Sequence, residues 1–488
     1  MKKLVAAAAV LVALLVFAPW GVGKLAERHV NGGLDQALEQ MPYFKIAERK
    51  YTPGWFSSEQ VLTFELSSPW QKLLEEAMAG KQTRTTASVE EEDDSGTDLF
   101  DDDNGELSSE NKSAPDSRFT VRNKIQHGPV LWPFGFGAAR VRTEIVWSDE
   151  VRERLVRVFG DDEPFRIVSR VGFFGGGTTT FLSAKRSIKP GEGGEISWDD
   201  FEFNVHYTRD ASEMSFDGEW PRLEARSKGG GYFLLRDFEA EGSGDRIVGD
   251  VYDTEAVFEI DSIRVVDTQG ETVEAKDIEY RIDTDRKGDF VDVSFTFGTG
   301  PVTAKQFTLT ELHYDFSLRH LHAASFDALM KAVKQSYARA VDETTEVSLG
   351  MTDDEKQTFF DLLNHKPEFA IDRIGFATKA GDGAIKGVLR FNGVTEADFA
   401  MGGLGLIGKL EAEFDIDFSE ALIKELGGGD SSAVDMVVGE GYAVRKGDRV
   451  TSRIEFKAGE LTINGKTQAI PGFGAPASQD TDAMAGPE

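Results

Sequence analysis

Leu410-Glu411-Ala412-Glu413-Phe414-Asp415-Ile416-Asp417-Phe418 alternates apolar and acidic residues without a break. A period of two sends successive side chains to opposite faces of an extended chain, so this stretch is a strand with one dry and one wet face. The same alternation recurs in Phe201-Glu202-Phe203-Asn204-Val205-His206-Tyr207, in Ile278-Glu279-Tyr280-Arg281-Ile282 and in Val291-Asp292-Val293-Ser294-Phe295-Thr296-Phe297. Strands of this kind specify antiparallel sheet wetted on one side. Doubly wound parallel sheets show continuous apolar strands with a helix at every step instead. The expected fold class is α+β, predominantly antiparallel β, with a few helices.

The helices carry their own signals. Ser148 can cap a helix over 149–159 that stops at Gly160. Residues 326–340 place Leu329, Met330, Val333 and Tyr337 at helical spacing. Thr352-Asp353-Asp354-Glu355 is a capping box whose helix ends before Pro367. Ser419 opens a short helix to Leu426, halted by Gly427-Gly428-Gly429. Nearer the N-terminus, 24–40 is helix-like, Tyr51 to Ser58 is a turn leading into a strand over 60–66, and Ser68-Pro69 opens a helix over 70–79. The triple glycines at 175–177 and 229–231 fit turns or bulges.

Met1-Lys2-Lys3 precedes twenty uncharged residues from Leu4 to Gly23. As a helix this run spans about 30 Å, the thickness of a bilayer core. The lysines favour the cytoplasmic side, so residues 4–23 are expected to be a signal anchor in the inner membrane that leaves the C-terminal body in the periplasm. A cleaved signal peptide is the competing possibility. The chain has no cysteine, which excludes disulfides, iron–sulfur clusters and thiolate zinc sites. A formal charge of −31, from 85 acids against 54 Lys and Arg, repels phosphate backbones and argues against nucleic-acid binding.

The chain divides into the anchor (1–23), a membrane-proximal helix and first strands (24–89), an acidic insertion (90–117), a mainly antiparallel β region (118–320), a helical pair (321–366), a C-terminal β-rich region (367–473) and a tail (474–488). Residues 90–116 hold twelve acids against Lys112 alone, too little apolar surface to offset the entropy of ordering. They do not make a calcium loop: a turn at Gly105 would need acids where Phe100 and Asn111 stand.

Motifs that suggest chemistry weaken on inspection. Gly403-Leu404-Gly405-Leu406-Ile407-Gly408-Lys409 has phosphate-loop spacing, but such loops deliver a helix N-terminus, and here a strand follows, with Leu410 where magnesium would need Ser or Thr. His313, His320 and His322 lie within ten residues, yet no third ligand is spaced to join His320 and His322. If 318–324 is helical those two face different sides; in a strand they share one. No metal site and no cofactor are expected.

Several stretches resemble one bacterial family. The lysine-led anchor with Tyr51, Gly54, Trp55, Phe56, Ser57 and Ser58 resembles the start of YdgA-like envelope proteins. Ile125-Gln126-His127-Gly128-Pro129 resembles that family's His-Gly-Pro signature. Pro367 to Ile374 resembles its strand after paired helices, and Ile454 to Gly465, with Gly459, Asn464 and Gly465, is similar to its C-terminal hairpin. The resemblance implies an inner-membrane anchor, a periplasmic body and self-association. It brings no activity and no catalytic residues, and it makes 90–116 look like an insertion.

The 35 Phe outnumber the 9 Tyr and sit largely on the apolar faces of strands. That fits either an ordinary sandwich core or an exposed apolar face. The expected function is a non-enzymatic periplasmic envelope protein that binds or passes lipid along such a face. One alternative is a homodimeric structural or protein-interaction module of the envelope. Another is a hydrolase with a non-local site, marked by a pocket bringing Ser, Thr or Asp within about 3 Å of His127 or His206.

Overall fold

The computed structural model describes residues 44–66, 118–342 and 352–468, with short gaps at 132–134, within 148–162, and at 190–192, 306, 396, 399–402 and 458. The anchor, the helices expected over 24–40 and 70–79, the acidic insertion and the tail lie outside the described residues. Among the described residues no helix is long and apolar enough to cross a membrane. The described residues of 149–159 (Asp149, Arg152, Glu153, Val156 and Phe159) are helical.

Among the described residues the alternating segments assemble into one sheet of 24 strands. They are β1 (Phe44–Thr52), β2 (Ser57–Leu66), β3 (Arg118–His127), β4 (Ala139–Val146), β5 (Arg166–Val171), β6 (Gly177–Ser183), β7 (Arg186–Ile188), β8 (Glu195–Trp198), β9 (Phe201–Tyr207), β10 (Glu213–Arg226), β11 (Tyr232–Val248) and β12 (Val251–Val266). There follow β13 (Thr272–Lys287), β14 (Phe290–Thr299), β15 (Val302–Ala304), β16 (Phe307–Leu309), β17 (Glu311–His322), β18 (Glu368–Ala377), β19 (Asp382–Phe391), β20 (Leu410–Ser419), β21 (Val444–Lys446), β22 (Arg449–Lys457), β23 (Glu460–Ile463) and β24 (Lys466–Gln468).

Every pairing is antiparallel, and neighbours follow chain order. The spine runs β1 to β6, β9 to β14, β17 to β20, then β22 to β24. The short strands extend the spine where long ones outrun their neighbours: β8 beside β9 on β10, and β15 beside β14 on β13. Because β17 pairs with β18 directly, the β regions on either side of the helical pair form a single sheet.

Helices cover two corners of this sheet. Helix α1 (Ala323–Asp342) and helix α2 (Asp353–Asn364) follow β17; Thr352 caps α2 through the reciprocal bonds its sequence predicts. Ala323, Phe326 and Leu329 of α1 and Leu362 of α2 pack with Val251, Val291, Val293 and Leu321. Helix α3 (Gly403–Ile407) precedes β20, so the glycines form one short helical turn before delivering the strand. Helix α4 (Glu420–Leu426), capped by Ser419 Oγ, and helix α5 (Ser432–Gly439) bring Ile423 and Val434 against Val450. A third small core joins Ile125, Ala139 and Val141 with Tyr51 and Val171.

Candidate functional site

Register converts the alternating strands into continuous rows. One row passes through Phe203, Gly218, Ala240, Phe258, Tyr280, Phe297, Tyr314, Ile374, Ile385 and Ile416, each directly opposite the next. The next row on the same face passes through Phe216, Gly242, Ala256, Ile282, Phe295, Phe316, Ile371, Gly387, Phe414 and Ile454. Rings run along the face in contact: Phe203 to Phe216 at 5.6 Å, Phe216 to Phe258 at 5.7 Å and Phe258 to Tyr280 at 6.0 Å.

The large side chains of these rows are not sealed. Phe203, Phe216, Phe258, Tyr280, Phe297 and Phe316 are half-buried and Tyr314 stays 42% exposed, while Phe295 packs against the core beneath α1 and α2. A closed core would exclude water from them. Glycines explain how the rings stay low. A Cβ on Gly218, Gly383 or Gly387 would come within 2.3 Å of Phe203, Phe418 or Phe414, the ring on the neighbouring strand. Each of these rings lies down over a bare backbone, which covers the glycine and flattens the surface. The result is an apolar floor crossing the middle of the sheet.

Across β9 to β13 the opposite face is acidic. Glu202, Glu219, Glu239, Glu259 and Glu279 stand directly opposite one another on five successive strands. Like charges so placed weaken strand pairing, and they keep this face hydrated. The two faces are chemically unlike, and only one suits apolar matter.

The motif residues singled out in the sequence separate into two groups. Tyr51, Gly54, Trp55, Phe56, Ser57, Ser58, His127, Gly128 and Pro129 converge at one end of β1 to β4. His127 Nδ1 donates to the Trp55 carbonyl at 3.3 Å, and in that tautomer Ser58 Oγ donates to His127 Nε2 at 2.9 Å. His127 N donates to the Phe56 carbonyl, and Ser57 pairs with Gln126. A Cβ on Gly54 would lie 2.2 Å from Ser57 O, and one on Gly128 would lie 1.7 Å from Gly137 O, so both positions need glycine. The Gly128–Pro129 peptide is cis. Pro367, in contrast, only precedes β18. Gly459 turns β22 into β23, and Asn464-Gly465, both with positive φ, turns β23 into β24.

Two hydroxyl–imidazole pairs meet the distance expected of a non-local site. The Ser58–His127 pair is sealed, at 6% and 3% exposure, and ties the first hairpin to β3. The sequence alone gave His127 no hydroxyl partner, because Ser58 lies 69 residues away. The second pair is Thr178 Oγ1 with His206 Nδ1 at 2.9 Å, and His206 Nε2 donates to Asp217 Oδ1 at 3.1 Å. This trio lies on the hydrated polar face, where a hydroxyl gains little from a low dielectric.

The histidine cluster resolves into packing. β17 stays extended to His322, with a bulge where Arg319 and His320 oppose Asp292. His320 stacks on Phe290 at 4.0 Å, and His322 stacks at 4.0 Å on His365, which the sequence gave no reason to add. His313 pairs with Glu311, holding that carboxyl below its usual range despite the opposing effect of burial. Among the described residues no group of three His, Cys, Asp or Glu could hold a metal.

A protein built from one long antiparallel meander with an apolar floor and an acidic back defines a structural class, not a chemistry. The chain belongs to a family of bacterial proteins of unknown function, DUF945, whose model matches residues 1–471. No curated protein and no solved structure matches it.

Proposed function

We propose that this is a non-enzymatic envelope protein, YdgA-like, anchored in the inner membrane through residues 4–23, whose periplasmic body binds and passes lipid along the apolar floor. One observation carries the reading: aromatic rows run across the sheet from β9 to β17, and apart from Phe295, which packs against the core beneath α1 and α2, no described layer seals them. Acyl chains are narrow, flexible and indifferent to hydrogen-bond geometry, so a continuous ring-paved strip suits them better than a discrete pocket. Passage along the strip needs no covalent step.

The test is photo-crosslinking in intact cells whose phospholipids carry radioactive phosphate. A photoreactive phenylalanine replaces Phe258 or Tyr280 on the floor, or Glu259 or Glu279 on the acidic face. Lipid adducts at the first two positions and not at the second two are expected. Equal labelling of both faces, or none, overturns the proposal. Adducts with a second copy of the chain favour the homodimeric module instead.

A hydrolase reading draws on Thr178, His206 and Asp217. It requires that Thr178→Ala and His206→Ala each abolish turnover of an ester substrate while the fold is kept.

A further inference from the structure

Three imidazoles and one phenyl ring meet where the helical pair leaves the sheet. Phe290 of β14 carries His320 flat against it at 4.0 Å, and His322 and His365 stand edge-on to it at 5.6 Å and 6.2 Å. His322 is the last residue of β17 and His365 is the C-cap of α2. These two rings stack on each other at 4.0 Å, their planes 8° apart, and both are half-buried. His322 Nδ1 is bonded to Ser325 Oγ at 2.9 Å, and His365 Nδ1 donates to the Asp361 carbonyl at 2.8 Å.

Imidazole is the side chain that takes up a proton between neutral and mildly acid solution. A stacked pair accommodates one proton. A second sets two positive charges face to face across 4.0 Å. The charged groups of the surrounding elements are engaged elsewhere. On β14, Asp292 accepts from His320 N and pairs with Lys287, and Asp289 gives its backbone carbonyl to Ala323 N. Arg319 of β17 pairs with Asp372, Asp327 of α1 with Lys331, and Glu368 of β18 with Arg390. The Asp361 carboxylate of α2 accepts from Gln357, and the remaining neighbour, Lys366, is itself a cation. Among the described residues no carboxylate is bonded to His320, His322 or His365. The closed pair therefore takes its second proton with difficulty, whereas separated rings take both, so falling pH favours separation.

Separation would move α2. Helix α1 is tied down independently: Asp327, 6% exposed, accepts from Asp250 N at 2.9 Å and from Lys331 at 2.6 Å, and Lys334 reaches the Asp250 carboxylate at 2.9 Å. Helix α2 meets the sheet through Leu362, buried beside Val251, Val291, Val293 and Leu321, three residues before the stack. His320 and Lys366, on either side of the stack, hold positive φ of 59° and 56°, which side chains disfavour, so the backbone there relaxes on release. Phe295, opposite Phe316 in the second floor row, packs against the core that α2 helps to cover.

We infer that the stacked His322 and His365 form an acid-sensitive latch: in mildly acid solution the stack opens, α2 lifts, and Phe295 joins the open floor. Its purpose rests on the lipid reading, but the latch itself is measured without lipid.

The chain has no cysteine, so Ala323→Cys places a single thiol in the core under α2, and Ala139→Cys places one as deeply in the distant core of β3 and β4. Full-length protein in mild detergent is labelled with a disulfide reagent that stays reactive in acid, each rate divided by that of the same variant in urea. Labelling at position 323 should rise about tenfold between about pH 7.5 and about pH 5.5, and labelling at 139 should not. His365→Phe and His322→Phe each keep a ring in the stack and remove one charge, so either should abolish the rise; His320→Asn should keep it. A rise at both positions, no rise at 323, or a rise that survives both phenylalanine variants overturns the latch. A photoreactive phenylalanine at position 295 should then capture phospholipid in acid alone, while one at 258 captures it at both pH values. Capture at neither position refutes the lipid floor and leaves the latch standing. Capture at 258 but never at 295, with position 323 opening in acid, overturns the joining of Phe295 to the floor.

Discussion

Replacing Phe258 by aspartate tests whether the apolar floor is open. The ring sits between Phe216 at 5.7 Å and Tyr280 at 6.0 Å and is half-buried. Full burial of Phe is worth about 3 kcal/mol, so burying about two-thirds of the ring is worth about 2 kcal/mol. Two ring pairs at the low end of their range add about 1 kcal/mol together. Phe258→Ala should therefore cost about 3 kcal/mol. An aspartate there keeps its water if the floor is open, and its extra cost over alanine is then only its poorer strand propensity, under about 1 kcal/mol. Under a covering layer the same carboxylate would cost several kcal/mol more, a large part of a typical stability of about 5–15 kcal/mol. Val291, fully buried beneath α1 and α2, supplies the sealed reference. The measurement is urea unfolding of the full chain in mild detergent, followed by far-ultraviolet circular dichroism. The difference between Asp and Ala should be small at 258 and large at 291. Equal differences at the two positions refute the open floor.

Other consequences follow from the same geometry. Ser58→Ala strands the His127 ring nitrogen and should cost about 1–3 kcal/mol, while His127→Ala strands both the Ser58 hydroxyl and the Trp55 carbonyl and should cost more; thermal unfolding reports both. Deleting 90–116 should leave the fold intact, because Glu65 and Arg118 already pair across the gap; the shorter closure should stabilise by about 0.6 kcal/mol, read from the urea midpoint. Glu239→Lys places a cation between Glu219 and Glu259 and should stabilise by about 0.5–1 kcal/mol, an advantage that shrinks in high salt. Burial works to raise the Asp292 carboxyl, but the His320 N–H at 2.7 Å and Lys287 outweigh it and hold it below its usual value. Its stabilisation is therefore present above about pH 4 and lost as the pH falls through the lower folded value, so the advantage of wild type over Asp292→Asn should vanish in acid.

The fold class was legible because period two is a local signal, and a strand such as Leu410 to Phe418 declares its dry face unaided. Capping was legible for the same reason: Thr352 with Glu355, and Ser419 before α4, are local bonds. Register was not. Nothing within β10 or β11 says that Gly218 lies under Phe203 or Gly242 beside Phe216, since each pair joins different strands. The Ser58–His127 bond hid for the same reason, its partners lying 69 residues apart. The spacing of His320 and His322 gave no hint of what their rings touch: His320 stacks on Phe290 and His322 on His365.

The glycine–phenylalanine pairs also bear on what the face is for. In a sandwich, side chains stand up from each sheet to interdigitate with a partner about 10 Å away, and a glycine opposite a ring would waste the space. Here the rings lie across neighbouring strands at Gly218, Gly383 and Gly387, so contacts that a second layer would have supplied are made within one sheet. A surface satisfied in this way can stay folded while bare. It can also take and release an apolar chain without rebuilding a core, because no packing has to be broken to admit it. The glutamate ladder completes the division, since a sheet with two apolar faces would stack on copies of itself, whereas one with an acidic back exposes a single face to apolar partners. Standing rings at position 203 or 414, freed by an alanine at Gly218 or Gly387, should therefore hurt lipid labelling more than stability. The reverse order would mean that the rings serve the fold alone.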